Sequence, residues 1–225
     1  MKIIKRTIAF LLIFALGFFS YGMFTKIWHQ NKVLKQVISR LAADSRAADV
    51  LVTGVNYDEK TGKNSTTIKF LEYDVEGNPL EPRYFTFSGN IIQFQSLVIR
   101  FSDDLVMRGD RMKGKSVYLF WKVFMLDGEN TKEYDITEVD TVPRGYKVSE
   151  GKDAFESELW EKFWSYALDE DERGKIGIKS AQIEAPGTMF VPGVLYTLKI
   201  EHDGGIRIDS EKLPPILMGE INSKK

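Results

Sequence analysis

Charge is absent from the chain between Thr7 and Phe24 (TIAFLLIFALGFFSYGMF). At about 1.5 Å per residue, a helix of about eighteen residues spans roughly 27 Å, enough for a thin bilayer core. The pattern predicts an N-terminal transmembrane helix. Lys2, Lys5 and Arg6 precede it, and Lys26, Trp28 and His29 follow it. Tyr21 and Trp28 fall where amphipathic rings favour the headgroup level. A segment apolar on all sides and flanked by charge does not suit a buried core helix. A cleaved signal peptide is the rival reading. Its apolar region is usually about 7–15 residues and ends at a small-x-small site. The best such site here, Ser20-Tyr21-Gly22, lacks the favoured alanines. Basic groups crowd the N-terminal edge, which places the N-terminus inside and the remaining domain outside.

From Lys26 to about Ala48 the pattern continues as a helical stalk. Ile27, Leu34, Leu41 and Ala48 recur every seventh residue, with Val37 and Ile38 on or beside that seam. Gln30 and Asp44 interrupt it. Two readings follow: a parallel dimerising coiled coil, or an amphipathic helix packed on its own domain.

The periodicity then becomes that of strands, with turn signals roughly every ten residues. Val50 to Tyr57 and Thr66 to Tyr73 flank a polar turn and predict a hairpin. Glu76-Gly77-Asn78-Pro79 turns the chain, Tyr84–Phe87 alternates, and Ile91–Phe101 reads as a long strand. Val117–Leu126 (VYLFWKVFML) is apolar on both faces except at Lys122, which predicts a central strand covered on both sides. Asp127-Gly128 leads to a return strand over Tyr134–Val139. From Asp153, Phe155, Leu159, Phe163, Trp164 and Ala167 follow helical spacing, widened by Trp160 and Tyr166. Asp153-x-x-Glu156 has the spacing of a capping box. The acids Asp169-Glu170-Asp171-Glu172 oppose the dipole at the helix end and predict fraying before Gly174. The helix aromatics are read as core, with an exposed sugar- or partner-binding face as the alternative. Strands follow over Lys175–Glu184, Val194–Glu201 and Ile206–Ile208, and Leu213-Pro214-Pro215 stops regular structure.

The expected fold is therefore α+β and mainly antiparallel β, a sandwich or partly open barrel with one amphipathic helix, behind an N-terminal transmembrane helix and stalk. Residues 1–25 form the anchor, 26–48 the stalk, 49–212 the β-rich domain and 213–225 a tail.

Charge divides along the same line. Residues 1–46 carry eight Lys/Arg and one acid, Asp44, while the remainder is net about −8. The basic end suits an anionic membrane surface, and the acidic domain argues against nucleic acid as a partner. There is no cysteine, so disulfides, thiol catalysis and a lipid-modified cysteine are excluded. That suits a bacterial envelope protein. The two histidines, His29 and His202, are far apart in sequence, which disfavours a histidine triad or multi-histidine zinc site.

Candidate chemistry is thin. Asp103-Asp104 and the acids 169–172 are clustered carboxylates, but adjacent acids lack the cross-cleft separation of about 5–9.5 Å that glycosidases use. The 169–172 run also lacks the loop spacing of a calcium site. Arg108-Gly109-Asp110 matches an adhesion tripeptide. With Arg111, Lys113 and Lys115 it reads as a basic loop that could meet phosphate or lipid headgroups. Asn64-Ser65-Thr66 is a glycosylation sequon in an expected turn. Nucleotide-binding glycine motifs are missing. No residue is singled out as catalytic, cofactor-binding or metal-binding, and no cofactor is expected. The expected function is presentation of a β-rich extracytoplasmic domain from a single-pass anchor, for protein–protein interaction or assembly with envelope partners or through stalk self-association. The alternatives are a glycan- or lipid-binding module that uses a sandwich cleft or the aromatic helix face, with Trp121, Trp160 and Trp164 as its fluorescence readout, and a hydrolase using carboxylates from separate strands, for which Asp103, Asp104 and Asp110 are the clustered candidates.

Overall fold

The computed structural model describes residues 2–40, 46–59, 62–101, 116–127, 130–148, 151, 153–169, 178–201 and 205–214; among these the side chains of 2–13, 38–40, Arg46, Asp58, Lys63, Phe101, Asp127, Asn130, Tyr166 and 178–182 are not described. Among the described residues a helix, α1 (Lys2–Arg40), precedes ten strands, a short 3-10 turn (Arg144–Tyr146) and a second α-helix. The strands are β1 (Arg46–Asp58), β2 (Lys63–Glu72), β3 (Arg83–Phe87), β4 (Ile91–Phe101), β5 (Ser116–Asp127), β6 (Asn130–Asp135), β7 (Ile178–Glu184), β8 (Gly187–Met189), β9 (Val194–Ile200) and β10 (Ile206–Lys212). Helix α2 (Ala154–Leu168) lies between β6 and β7.

All strand pairs are antiparallel. One sheet runs β10-β9-β1-β2-β3; the other runs β6-β5-β4-β7, with β8 also on β4. The sheets share one core. Val50, Val52, Ile68, Phe70 and Phe87 come from the first sheet, and Phe94, Val98, Phe120 and Val123 from the second. The fold is thus a β-rich α+β sandwich. Phe70 sits at the centre of an aromatic cluster, stacked on Phe94 at 5.6 Å and edge-on to Phe120 at 5.6 Å. Burying one such ring contributes about 1.5–3 kcal/mol.

The second sheet is buried on both faces where the helices cover it. Tyr118 and Phe120 join the sandwich core, while Val117 and Leu119 pack under α2 with Trp160 and Trp164. That is why β5 is apolar on both faces. Lys122, its one charged apolar-run member, is half-buried and lies 3.0 Å from Glu133 Oε1 and 3.8 Å from Asp135 Oδ1 on β6.

Several expected elements move. The stalk helix is described as far as Arg40, residues 41–45 lie outside the described residues, and Arg46, Ala47 and Ala48 of the expected stalk belong to β1 instead. Ala48 is buried between Glu72 and Leu198, a pairing that no local propensity of alanine announces. The return strand expected through Val139 stops at Asp135. There the Ile136 and Thr137 amides both turn to the Trp121 carbonyl. Beyond that point side chains serve the free edge of β5. Thr137 Oγ1 donates to Phe120 O, and Tyr146 OH accepts from Tyr118 N–H and donates to Tyr118 O. Strand β10 runs to Lys212, longer than expected, and β8 lies where only a turn was expected.

Two seams close the sandwich without ladder bonds. On one, Tyr134 OH donates to Thr86 O, and Arg83 donates to the carbonyls of Asp135 and Ile136. On the other, Tyr196 OH donates to Met189 O and accepts from Val191 N–H.

Candidate interaction surfaces

The helix that leads into the sandwich carries two kinds of surface. From Phe14 to Trp28 its large apolar side chains stand in the open: Phe14 and Phe18 are each 75% exposed and Trp28 62%. Phe18 and Phe19 are neighbours about 100° apart on the helix, so no single polar face separates the apolar residues. Among the described residues no helix is long and apolar enough to cross a membrane. The segment expected to cross, Thr7–Phe24, lies partly outside the residues whose side chains are described.

One helical turn beyond Trp28 the environment inverts. Val33 and Val37 are buried and join the cluster under α2. Their spacing of four places both on one face. Of the seam expected in the sequence, Val37 lies on this buried face, Ile27 is exposed and Leu34 half-buried, while the side chain of Ile38 and Leu41 lie outside the described residues. These contacts are those expected of a helix packed on its own domain.

A polar contact secures the same junction. His29 Nε2 lies 2.6 Å from Asp153 Oδ2. Asp153 is also the N-cap of α2, where its Oδ1 accepts the amides of Phe155 and Glu156. The Glu156 amide first, then the hydrogen bond from His29, hold the Asp153 carboxyl below the ordinary carboxylate range. The capping-box expectation holds for Asp153. The buried carboxylate of Glu156 reaches Val148 N–H at 2.7 Å and so ties down the loop before the helix. Lys26, Gln30, Phe155 and Glu158 complete a shallow groove between the helices. Lys162, 2.6 Å from Glu158, holds that carboxyl below its usual range, and Lys26 acts in the same direction.

The aromatic face of α2 is core, as the first of the two readings had it. Trp160 and Trp164 are essentially inaccessible, and Trp164 Nε1 donates to Thr141 O. They pack on the second sheet and offer no sugar- or partner-binding face. The helix ends at Leu168 with Asp169 as its C-cap; acids 170–172 lie outside the described residues. So do Asp103, Asp104, Arg108, Gly109, Asp110, Arg111, Lys113, Lys115 and His202. The sequon residue Asn64 is on β2, paired with Tyr57, and not in the turn.

A second surface is a sandwich cleft, whose lining residues the sequence did not mark as such. It has a volume of about 440 Å³ and lies at one end of the sandwich. Val55, Asn64 and Thr66 form one wall, Ser88, Gly89 and Asn90 of the β3–β4 turn another, and Phe190 and Pro192 the floor and lip. A Cβ at Gly89 would lie 3.0 Å from Met125 Sδ, so the methionine side chain would have to shift by a few tenths of an ångström to admit one. Among the described residues no group of three or more His, Asp or Glu could hold a metal ion.

No known family's sequence model matches the chain, and neither curated proteins nor solved structures give a match.

Proposed function

We propose that this chain is a single-pass, membrane-anchored envelope protein. Its β-rich domain is held outside the cytoplasm and presented to other envelope proteins for interaction or assembly. The observation that carries the reading is the contrast along α1. The helix exposes large apolar side chains from Phe14 to Trp28 and buries Val33 and Val37 against the domain. An exposed apolar array of this size is unstable in water and matches the lipid environment. Lys32 Nζ sits 5.9 Å from the Trp28 ring, a basic–aromatic pair suited to the headgroup level. Docking of the helix end on α2 then holds the domain close to the membrane surface.

Topology reporters test this. A reporter active only outside the cytoplasm is fused to the C-terminus, and one active only inside is fused in parallel. The mature chain is sized in both strains. The expected result is activity outside on an uncleaved chain that fractionates with membranes. Activity of the inside reporter alone overturns the orientation. A chain shortened by removal of the apolar segment overturns the anchor.

A further inference from the structure

We infer that the cleft at the end of the sandwich is a binding site for a neutral saccharide, with Tyr57 as the stacking platform at its mouth. This goes beyond presentation on a membrane and is independent of which side the domain faces. Register places the tyrosine. Val55 pairs with Thr66 and Tyr57 with Asn64, with no irregularity between them. Side chains alternate along a strand, so Val55, Tyr57, Asn64 and Thr66 share one face. Three of those four line the cleft, and Tyr57 stands one step further out on the same wall, 64% exposed.

The chemistry of the lining selects the ligand. Among the described residues every lining side chain is uncharged: two amides (Asn64, Asn90), two hydroxyls (Thr66, Ser88) and apolar groups from Val55, Phe190 and Pro192. A phosphate or sulfate would call for basic groups. An acyl chain would call for a continuous apolar wall. Amides offer donors and acceptors together, which matches the hydroxyls of a sugar, and an aromatic face covers the C–H face of the ring. A volume of about 440 Å³ lies within the roughly 300–1,000 Å³ of small-molecule sites.

The test uses the full chain in a non-glycosidic detergent, because sugar-headed detergents compete. Cellotetraose, maltotetraose, laminaritetraose and chitotetraose are titrated by calorimetry and by saturation-transfer NMR, beside a heparin-derived tetrasaccharide as the anionic comparator. At least one neutral probe is expected to bind saturably. Tyr57→Ala and Asn90→Ala should each weaken it about tenfold, with Tyr57→Phe retaining most of the affinity. Tyr84→Ala, on an exposed aromatic of β3, should leave binding unchanged. Urea unfolding of each variant establishes that it is folded. The inference is overturned if no neutral probe binds where millimolar affinity would saturate, if only the anionic probe binds, or if folded Tyr57→Ala and Asn90→Ala bind as well as wild type.

Discussion

Asp49 illustrates how much a single carboxylate organises on the outer face of the first sheet. It lies opposite Leu71 on β2 and Thr197 on β9. Its Oδ2 accepts from Tyr73 OH at 2.7 Å and its Oδ1 from Thr197 Oγ1 at 2.9 Å. The hydrogen bond to Asp49, then burial, push the Tyr73 phenol up to about 12. A raised value in the folded state means that the Tyr73 contribution is complete below the unfolded value near 10 and is lost as pH rises toward 12. In a spectrophotometric phenol titration Tyr73 should therefore ionise late in wild type. In Asp49→Asn it should shift back toward 10, because the neutral amide no longer favours the protonated phenol. Superimposable titrations of the two proteins would rule out the bond. Nothing in the sequence joins these three residues. Asp49 and Thr197 meet only because the first and ninth strands pair.

At the scale of elements, the α1–α2 junction depends on two valines and one capped helix end. Val33→Ala and Val37→Ala each remove two buried methyl groups and should cost roughly 1–2 kcal/mol. Asp153→Ala removes the cap from two amides and should cost about 1 kcal/mol, within the usual range of about 0.5–2. Acid should erase the second effect but not the first. Since the Asp153 carboxyl is held below its usual range, its contribution is present above about pH 4 and lost as pH falls through the lowered folded value. Urea unfolding of the full chain in detergent, followed by tryptophan fluorescence, should show the gap between wild type and Asp153→Ala narrowing below pH 4. The gap to Val33→Ala should not narrow in that way. A constant Asp153 gap down to strongly acid pH would contradict the assigned carboxylate. Elements were well marked in the sequence where one face is buried: β9 alternates Tyr196, Leu198 and Ile200 inward, and Asp153 announces α2. The stalk was less legible. Its heptad spacing put Val37 on or beside a seam with Ile27 and Leu34; Val37 is buried, but its packed neighbour is Val33, one the heptad did not mark, because the domain surface sets which side these two residues bury.

At the scale of the molecule, sequence pattern specified β-rich α+β architecture but not the order of its strands, because alternation identifies a buried face and carries no information on the neighbour. The decisive pairing is β1 with β9. Arg46 lies opposite Ile200 and Leu51 opposite Leu195, so the centre of the first sheet is completed from near the far end of the domain. The cleft shares that origin, since its walls come from β1, β2, the β3–β4 turn and the segment after β8. Such long-range pairing must overcome loop-closure entropy before its contacts repay it, which makes the sheet cooperative with its last strands. A chain ending at Pro192 loses Tyr196, Leu198 and Ile200 from the core, and with Tyr196 the seam to Met189 and Val191. It also leaves the β1 edge unpaired, a template for aggregation. That chain should show no cooperative urea transition and should bind a dye for exposed apolar surface. A chain ending at Ile200 keeps β9 and, among the described residues, loses the edge strand β10 and the residues flanking it; the β10 residues after Ile208 are exposed. It should still unfold cooperatively, at a lower urea midpoint. Equal midpoints for the chain ending at Pro192 and the full chain would mean that β1–β8 and the helices form the stable unit without β9, and that the first sheet does not depend on the β1–β9 pairing.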